Sequence, residues 1–211
     1  GAATTFTYIG QYGGLEQALA TWDTSNGHGK GANYFGLAAS SANGVVPEAG
    51  NGFSIEGMAA TASGQLLLGF RAPQASAALR TKALLVPLTN PAAVLTGASP
   101  AFGAPIELDL GGRGVRSIER ADDGRFLIVA GPAGAATASA TSNHFALYTW
   151  DGSSAVATRL DNVLDALLAS TGGSFETLVS PTSTAPGTRV QLLQDNGDTV
   201  WPGRTQASKD L

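Results

Sequence analysis

The stretch that decides the fold is Ser54-Ile55-Glu56-Gly57-Met58-Ala59-Ala60-Thr61-Ala62-Ser63-Gly64-Gln65-Leu66-Leu67-Leu68-Gly69-Phe70. A Ser-Gly pair at 63–64 marks a turn, because glycine adopts turn conformations that other residues avoid. The run 66–70 after it is apolar and short, which is typical of a strand covered on both faces. The stretch therefore predicts two strands joined by a tight turn.

The pattern returns twice further along the chain. Its second copy is Ser117-Ile118-Glu119, an Asp-Gly turn at 123–124 and the apolar run 126–131. A weaker third copy is Ser174-Phe175-Glu176, a turn rich in Pro, Ser and Thr, and the run 190–193. Aligned on their glutamates, the copies are 63 and 57 residues apart. A four-stranded propeller blade needs about 40 to 50 residues plus loops, so these spacings favour one blade per copy.

Further strand-like runs follow each pair, at 82–88 and 106–110 in the first copy and at 145–150 and 156–160 in the second. Each copy is then a four-stranded blade, and a sandwich would show cleaner alternation of polar and apolar residues. We expect an all-β, propeller-like fold with about three blades, 54–110, 117–162 and 174–198. Two short helices are predicted as insertions, Leu15–Trp22 and Val163–Ala169.

Three blades do not close a ring, since propellers contain about four to eight. Residues 1–53 are either a partial blade or a connecting segment, with strand candidates at Phe6–Ile9 and Tyr34–Ala38. The chain begins with Gly1, which suggests that it is the C-terminal part of a longer precursor. We expect another fragment of that precursor, or a second copy of the chain, to complete the ring.

Composition excludes several classes of protein. The chain has 211 residues, 43% hydrophobic and 13% charged, so one domain can bury a core and disorder is not expected. A net charge of −4 and only three lysines argue against a nucleic-acid partner. The chain contains no apolar run of about 18 residues, so the sequence predicts no membrane-spanning helix. Zero cysteines exclude a disulfide framework and a thiolate site, and with few lysines they favour a secreted or periplasmic protein.

Five segments carry a resemblance to a known family. They are Phe53–Met58, Leu68–Pro73, Leu108–Glu119, Ile128–Pro132 and Leu147–Trp150. Over roughly residues 50–200 the chain resembles the bacterial family catalogued as domain of unknown function 3616. The resemblance implies a propeller-like β fold. That family is similar at fold level to the esterase-like phytase group, which implies phosphoester chemistry.

Carboxylates are the main candidate site. The innermost strands of a propeller run along its central channel, so the repeat brings together Glu56, Glu119 and Glu176. Three interpretations stand. A hard cation such as Ca²⁺ binds the carboxylates; close carboxylates shift a pKa, so that Glu56 and Glu119 serve as catalytic acid and base; or arginines pair with them, the candidates being Arg71, Arg113 and Arg116.

Two turns are weaker candidates for binding. The segment Gly111-Gly112-Arg113-Gly114-Val115-Arg116 is either an anion-binding nest or a tight crossover between blades. Asp195 begins Asp195-Asn196-Gly197-Asp198, which resembles part of a calcium loop but also fits a simple hairpin turn.

No catalytic motif stands out, and the sequence leaves open whether the protein is an enzyme. There are two histidines, His28 and His144, and no Gly-x-Ser-x-Gly elbow, which argues against a serine hydrolase. The features that do stand out serve architecture. We therefore expect an exported binding or structural module. The alternative is a phosphoesterase- or esterase-like hydrolase that uses the carboxylates and arginines.

Overall fold

The computed structural model describes residues 7–134, 145–160, 164, 167, 173–197, 200, 202–207 and 209. These residues form three antiparallel sheets and three short helices. The predicted all-β class is confirmed in its coarse form, a mostly β chain with few short helices. Within the same residues, no helix is long and apolar enough to cross a membrane.

The first two sheets each contain four strands, and in both the spatial order is the chain order. The first sheet consists of β1 Ser54–Ala60, β2 Leu66–Ala72, β3 Ala83–Leu88 and β4 Ile106–Leu108. The second consists of β5 Gly114–Arg120, β6 Phe126–Gly131, β7 Ala146–Trp150 and β8 Thr158–Arg159. In the described residues the third sheet is a pair, β9 Ser174–Val179 and β10 Gln191–Asp195.

Residues 7–53, all of which the structure describes, contain two helices and no strand. Helix α1, Leu15–Thr24, confirms the first predicted helix. The strand predicted at Tyr34–Ala38 is wrong, because Gly36 adopts a left-handed conformation (φ 68°) and α2, Leu37–Ser40, begins directly after it. The other strand candidate, Phe6–Ile9, is not a strand in its described residues.

A third helix, α3, Pro91–Leu95, was not predicted. Its signal is present in the sequence, since Asn90 precedes Pro91 and proline is favoured at the first helical position. The helix predicted at Val163–Ala169 lies outside the described residues apart from Leu164 and Leu167. Of those two, Leu164 is buried against the second and third sheets.

Three apolar layers hold the elements together. The N-terminal segment packs against the outer face of the first sheet, where Leu19, Phe35 and Leu37 meet Phe70 and Leu84. The first and second sheets share the next layer, and the second and third sheets share the last. Adjacent sheets therefore lie face to face in chain order.

Close approach of the first two sheets requires glycine. Gly57 of β1 pairs with Gly69 of β2, and both lie under Val115 of β5. A Cβ atom at Gly57 would lie 2.6 Å from Cγ1 of Val115, and one at Gly69 would lie 2.8 Å from it. This flat pair of glycines makes room for a branched side chain from the neighbouring sheet.

The first strand of every sheet contains a β-bulge. The ladder between β1 and β2 skips Glu56, the ladder between β5 and β6 skips Arg116, and the ladder between β9 and β10 skips Glu176. A bulge leaves its extra residue unpaired and redirects the side chain. Three charged residues spaced 60 apart thus occupy one position of a structural repeat.

This register corrects the alignment made on the sequence. The residue of the second copy that is equivalent to Glu56 is Arg116, and Glu119 lies three residues further along β5. The turns already show the true period, because Gly64 and Gly124 are 60 residues apart and both end their turns at positive φ. Matching Ser-Ile-Glu triplets misled because Ser54 and Ser117 are not equivalent.

Candidate functional site

A line of alternating charges crosses the three sheets at their first strands. Nη1 of Arg71 lies 2.9 Å from Oε1 of Glu56, and Nε of Arg116 lies 2.9 Å from Oε2 of the same carboxylate. Nη2 of Arg116 also donates to Oε1 of Glu176. We call this set, Arg71, Glu56, Arg116 and Glu176, the charge line.

The bulges explain why these side chains meet. Glu56, Arg116 and Glu176 are the extra residues of β1, β5 and β9, which lie next to one another. Arg71 comes from β2, beside the bulge of β1. Each sheet therefore delivers at least one charged group to the same edge of the stack.

Both arginines are buried and have further partners. Nε and Nη2 of Arg71 donate to the carbonyl oxygens of Ala133 and Gly134, at 3.2 and 2.8 Å. Arg116 donates from Nη2 to Oγ of Ser174 at 3.0 Å, and its guanidinium lies 5.9 Å from the ring centre of Phe145. The contact of Arg116 Nε with Glu56 is an ion pair by distance without hydrogen-bond geometry.

The charge line is electrically balanced, with two guanidinium groups and two carboxylates. Buried charges are tolerated when they are paired and hydrogen-bonded. Since the guanidinium groups are engaged by protein acceptors, this arrangement joins sheets rather than presenting an open cationic receptor. Of the predicted glutamates, Glu56 and Glu176 meet at Arg116.

Glu119 has a different environment. It lies near the end of β5, paired in register with Leu127, and it is partly buried. Burial raises the pKa of the Glu119 carboxyl above its ordinary value, because the charged form is poorly solvated. The structure therefore separates Glu119 from the charge line.

The glycine-rich crossover forms several hydrogen bonds within itself. The N–H of Gly111 donates to Oδ1 of Asp109 at 2.9 Å, and Nη1 of Arg113 lies 3.2 Å from the carbonyl oxygens of Leu110 and Gly111. Gly111 and Gly112 both have positive φ, and the segment joins β4 to β5. Arg113 thus folds back on its own turn.

Asp195 ends β10 and accepts the N–H of Gly197 at 2.7 Å. Asp198, the last residue of that motif, lies outside the described residues. In the described part of the chain, no group of three or more His, Asp or Glu side chains is arranged to hold a metal ion. His144 also falls outside what is described.

Sequence reasoning missed a cleft of about 510 Å³ beside β4. Its lining includes Lys30, Tyr34, Lys82, Glu107 and Ser154. Lys30 Nζ lies 2.9 Å from Oε1 of Glu107 and 5.4 Å from the ring centre of Tyr34, and hydrogen bonding to Glu107 raises the pKa of Lys30. Two of the three lysines of the chain, Lys30 and Lys82, line this cleft, which their separation in sequence does not reveal.

A buried aspartate positions the loop that carries Lys30. Oδ1 of Asp23 accepts the N–H of Phe35 and contacts Nε2 of His28, both at 3.0 Å, and Oδ2 accepts the N–H of Leu37. The N–H of Lys30 donates to Nδ1 of His28 at 3.1 Å. Since Nδ1 accepts, the proton of neutral His28 is on Nε2, facing Asp23.

Comparison with known proteins supports the resemblance drawn from the sequence. A model of the family described as "Protein of unknown function (DUF3616)" matches residues 38–168. This span is more than half of the chain. The chain belongs to this family.

The match covers the first two sheets and Glu56, Arg71 and Arg116 of the charge line, whereas Glu176 follows it. The chain matches none of the curated proteins and none of the solved structures to which it was compared. The family's description assigns no activity.

Proposed function

We propose that the chain supplies consecutive blades of a β-propeller and serves as an exported binding or structural module. One observation carries the proposal. The three sheets follow one another face to face at a 60-residue period, with β1, β5 and β9 adjacent and bulged at the same position. Radial repetition of four-stranded sheets with neighbouring first strands is the arrangement of propeller blades.

The charge line supports a structural role for the inner edge. In a propeller, first strands surround the axis, so Glu56, Arg116 and Glu176 would line it. Their ion pairs tie each sheet to the next, and the buried guanidinium groups also bind backbone oxygens. A hydrolase that used these groups would have to break contacts that hold its sheets together.

The module is completed by another polypeptide in this proposal. An arc of three sheets leaves strand edges and the outer face of the third sheet uncovered, and uncovered edges promote aggregation. Native material from the producing cells is expected in the secreted or periplasmic fraction, as part of a larger particle. Light scattering and mass spectrometry that show only a 21.2 kDa monomer would contradict this.

Activity assays separate the module from a hydrolase. Phosphomonoester, phosphodiester and carboxyl-ester substrates are offered to the wild type and to Glu56→Gln. We expect no turnover that depends on Glu56, and a lower melting temperature for the variant because Arg71 and Arg116 lose a buried counter-ion.

The hydrolase alternative predicts a different result. Turnover that disappears in Glu56→Gln, while circular dichroism and the melting curve stay those of the wild type, would replace the module with an enzyme. Glu48→Gln is the matched control, because Glu48 is an exposed glutamate outside the charge line. It should change neither property.

A further inference from the structure

We propose that the free face of the third sheet docks a further β-sheet, supplied by another polypeptide, whose bulged first strand carries a basic residue that pairs with Glu176. The inference rests on the proposed function and adds the chemistry of the partner. It follows from comparing the same position in three successive repeats.

Glu176 uses only one of its two carboxylate oxygens for an ion pair among the described residues. Glu56 uses both carboxylate oxygens, one for Arg71 and one for Arg116 of the next sheet. Glu176 uses Oε1 for Arg116, and its Oε2 has no partner among the described residues. Its side chain is 35% exposed, against 21% for Glu56. Glu176 therefore lacks the cation that its counterpart receives from the next sheet.

A hydroxyl group lies one residue after the bulge in both the second and the third sheet. Oγ of Ser117 accepts the backbone N–H of Leu178 at 3.1 Å, a hydrogen bond that joins the second sheet to the third. The equivalent residue of the third sheet is Thr177, which is partly exposed and whose hydroxyl makes no hydrogen bond within the described residues. It presents the same acceptor to the same side of the stack.

The free face of the third sheet also exposes aliphatic side chains. Ala59 of the first sheet is 5% exposed because the second sheet covers it, and the equivalent residue of the third sheet, Val179, is 40% exposed. On β10, Leu193 pairs with Thr177 and is 50% exposed. The face thus presents a carboxylate oxygen, as Glu56 does at the first interface, a hydroxyl, as Ser117 does at the second, and aliphatic side chains.

A second copy of the chain does not fit this face in the same way. Docking would require the outer face of its first sheet, but Leu19, Phe35 and Leu37 of its own N-terminal segment already pack there. Its β1 also carries Glu56 at the bulge, which would oppose Glu176 with a like charge. The required partner has an uncovered first sheet and an arginine or lysine at the bulge.

The second sheet of this protein has that chemistry and supplies the probe. The full chain carries Leu193→Cys, which introduces its only thiol because the protein has no cysteine. A separate polypeptide with the sequence of residues 114–160 is added, and alkylation of the thiol is timed. With the probe in excess we expect alkylation to slow at least about tenfold, as for a site that is mostly occupied.

Matched probes test the ion pair. The Arg116→Gln probe should lose protection, whereas the Arg120→Gln probe, with the same charge change at the exposed end of the same strand, should keep it. In the full chain, Glu176→Gln should weaken protection by the unaltered probe. Equal protection by both probes would overturn the assigned ion pair.

A second format of the experiment is used in case the separate probe does not fold. The same sequence is joined after Leu211 through a Gly/Ser linker, which raises its effective concentration to the millimolar range. Full reactivity of the introduced thiol in both formats would overturn the docking site. Protection that needs no probe and grows with chain concentration would assign the face to a second copy instead. Neither result depends on the ester assays or native particle size, which test the proposed function.

Discussion

Arg116 and Glu56 occupy the same position in two successive repeats and bind each other, with Arg116 Nε 2.9 Å from Glu56 Oε2. Equivalent positions in a repeat protein usually carry similar residues, so opposite charges at one position make the repeats complementary. The loss of unfolding free energy when this ion pair is removed therefore reports how strongly the first and second sheets stabilise each other.

Arg116→Ala should destabilise the protein by about 3–5 kcal/mol, because it leaves the carboxylates of Glu56 and Glu176 without their shared cation. Urea unfolding followed by circular dichroism measures the change. Arg120→Ala is the control and should stay within about 0.5 kcal/mol of wild type, as exposed substitutions generally do. Equal losses in the two variants would show that the ion pairs do not stabilise the fold.

A chelator should leave the melting temperature of the wild type unchanged. The charge line already balances its carboxylates with guanidinium groups, so it needs no cation. Melting curves with EDTA and with added Ca²⁺ make the comparison. A drop with EDTA that Ca²⁺ reverses would place a metal ion in the protein.

Glu119→Gln should stabilise the protein at neutral pH. Burial raises the pKa of Glu119 in the folded state, so its contribution is most favourable below its unfolded pKa and is lost as the pH rises through the folded pKa. The neutral amide removes that loss. Unfolding free energies of wild type and variant at pH 4 and pH 7 should diverge only at the higher pH.

Gly69→Ala should destabilise the protein by about 1–3 kcal/mol, because the new methyl group overlaps Cγ1 of Val115. Combined with Val115→Ala, it should cost less than the sum of the two single losses, which a double-mutant cycle detects. Gly13→Ala, where a Cβ atom meets nothing within 4 Å, is the control. Purely additive losses would mean that the sheets adjust their spacing freely.

Asp123 fastens the β5–β6 turn to the third repeat. Its Oδ2 accepts the N–H and hydroxyl of Thr184 and the hydroxyl of Ser183. These hydrogen bonds, together with the one that Oδ1 accepts from the N–H of Arg125, lower the pKa of Asp123 from 3.8 to about 2. The stabilisation is complete above pH 3.8 and is lost as the pH falls toward about 2. Limited pepsin cleavage near residue 184 should therefore accelerate over that range, and Asp123→Asn should be cleaved readily at pH 4.

Asp122→Asn, at the residue next to Asp123, is the control for the hydrogen bonds of Asp123 to residues 183–184. Asp122 is exposed and makes no hydrogen bond to the 183–184 segment among the described residues. Its cleavage at pH 4 should match the wild type. If both variants were cleaved equally, local charge rather than the hydrogen bonds of Asp123 would govern the loop.

Local patterns in the sequence were sufficient for the strands of the three sheets and for α1, because apolar runs and Gly-containing turns reflect local backbone preferences. They failed at Tyr34–Ala38, where α2 begins after Gly36. They were not sufficient for register. A bulge inserts one residue without changing composition, so the Ser-Ile-Glu triplets align Glu119 with Glu56, whereas the 60-residue spacing of Gly64 and Gly124 indicates Arg116. The cleft lined by Lys30 and Lys82 could not be predicted from the sequence either. It forms because the buried Asp23 holds the N-terminal loop against β4.

The alternation of charge at Glu56, Arg116 and Glu176 limits the number of blades that a closed ring could contain. If each blade of a closed ring carries one charged residue at this position and the charges alternate in sign, no two like charges are neighbours only when the number of blades is even. A propeller that continued this alternation through all of its blades, within the usual range of about four to eight, would therefore close without electrostatic conflict in even-numbered rings. An odd ring would need one seam where a neutral residue, or a bound counter-ion, interrupts the pattern.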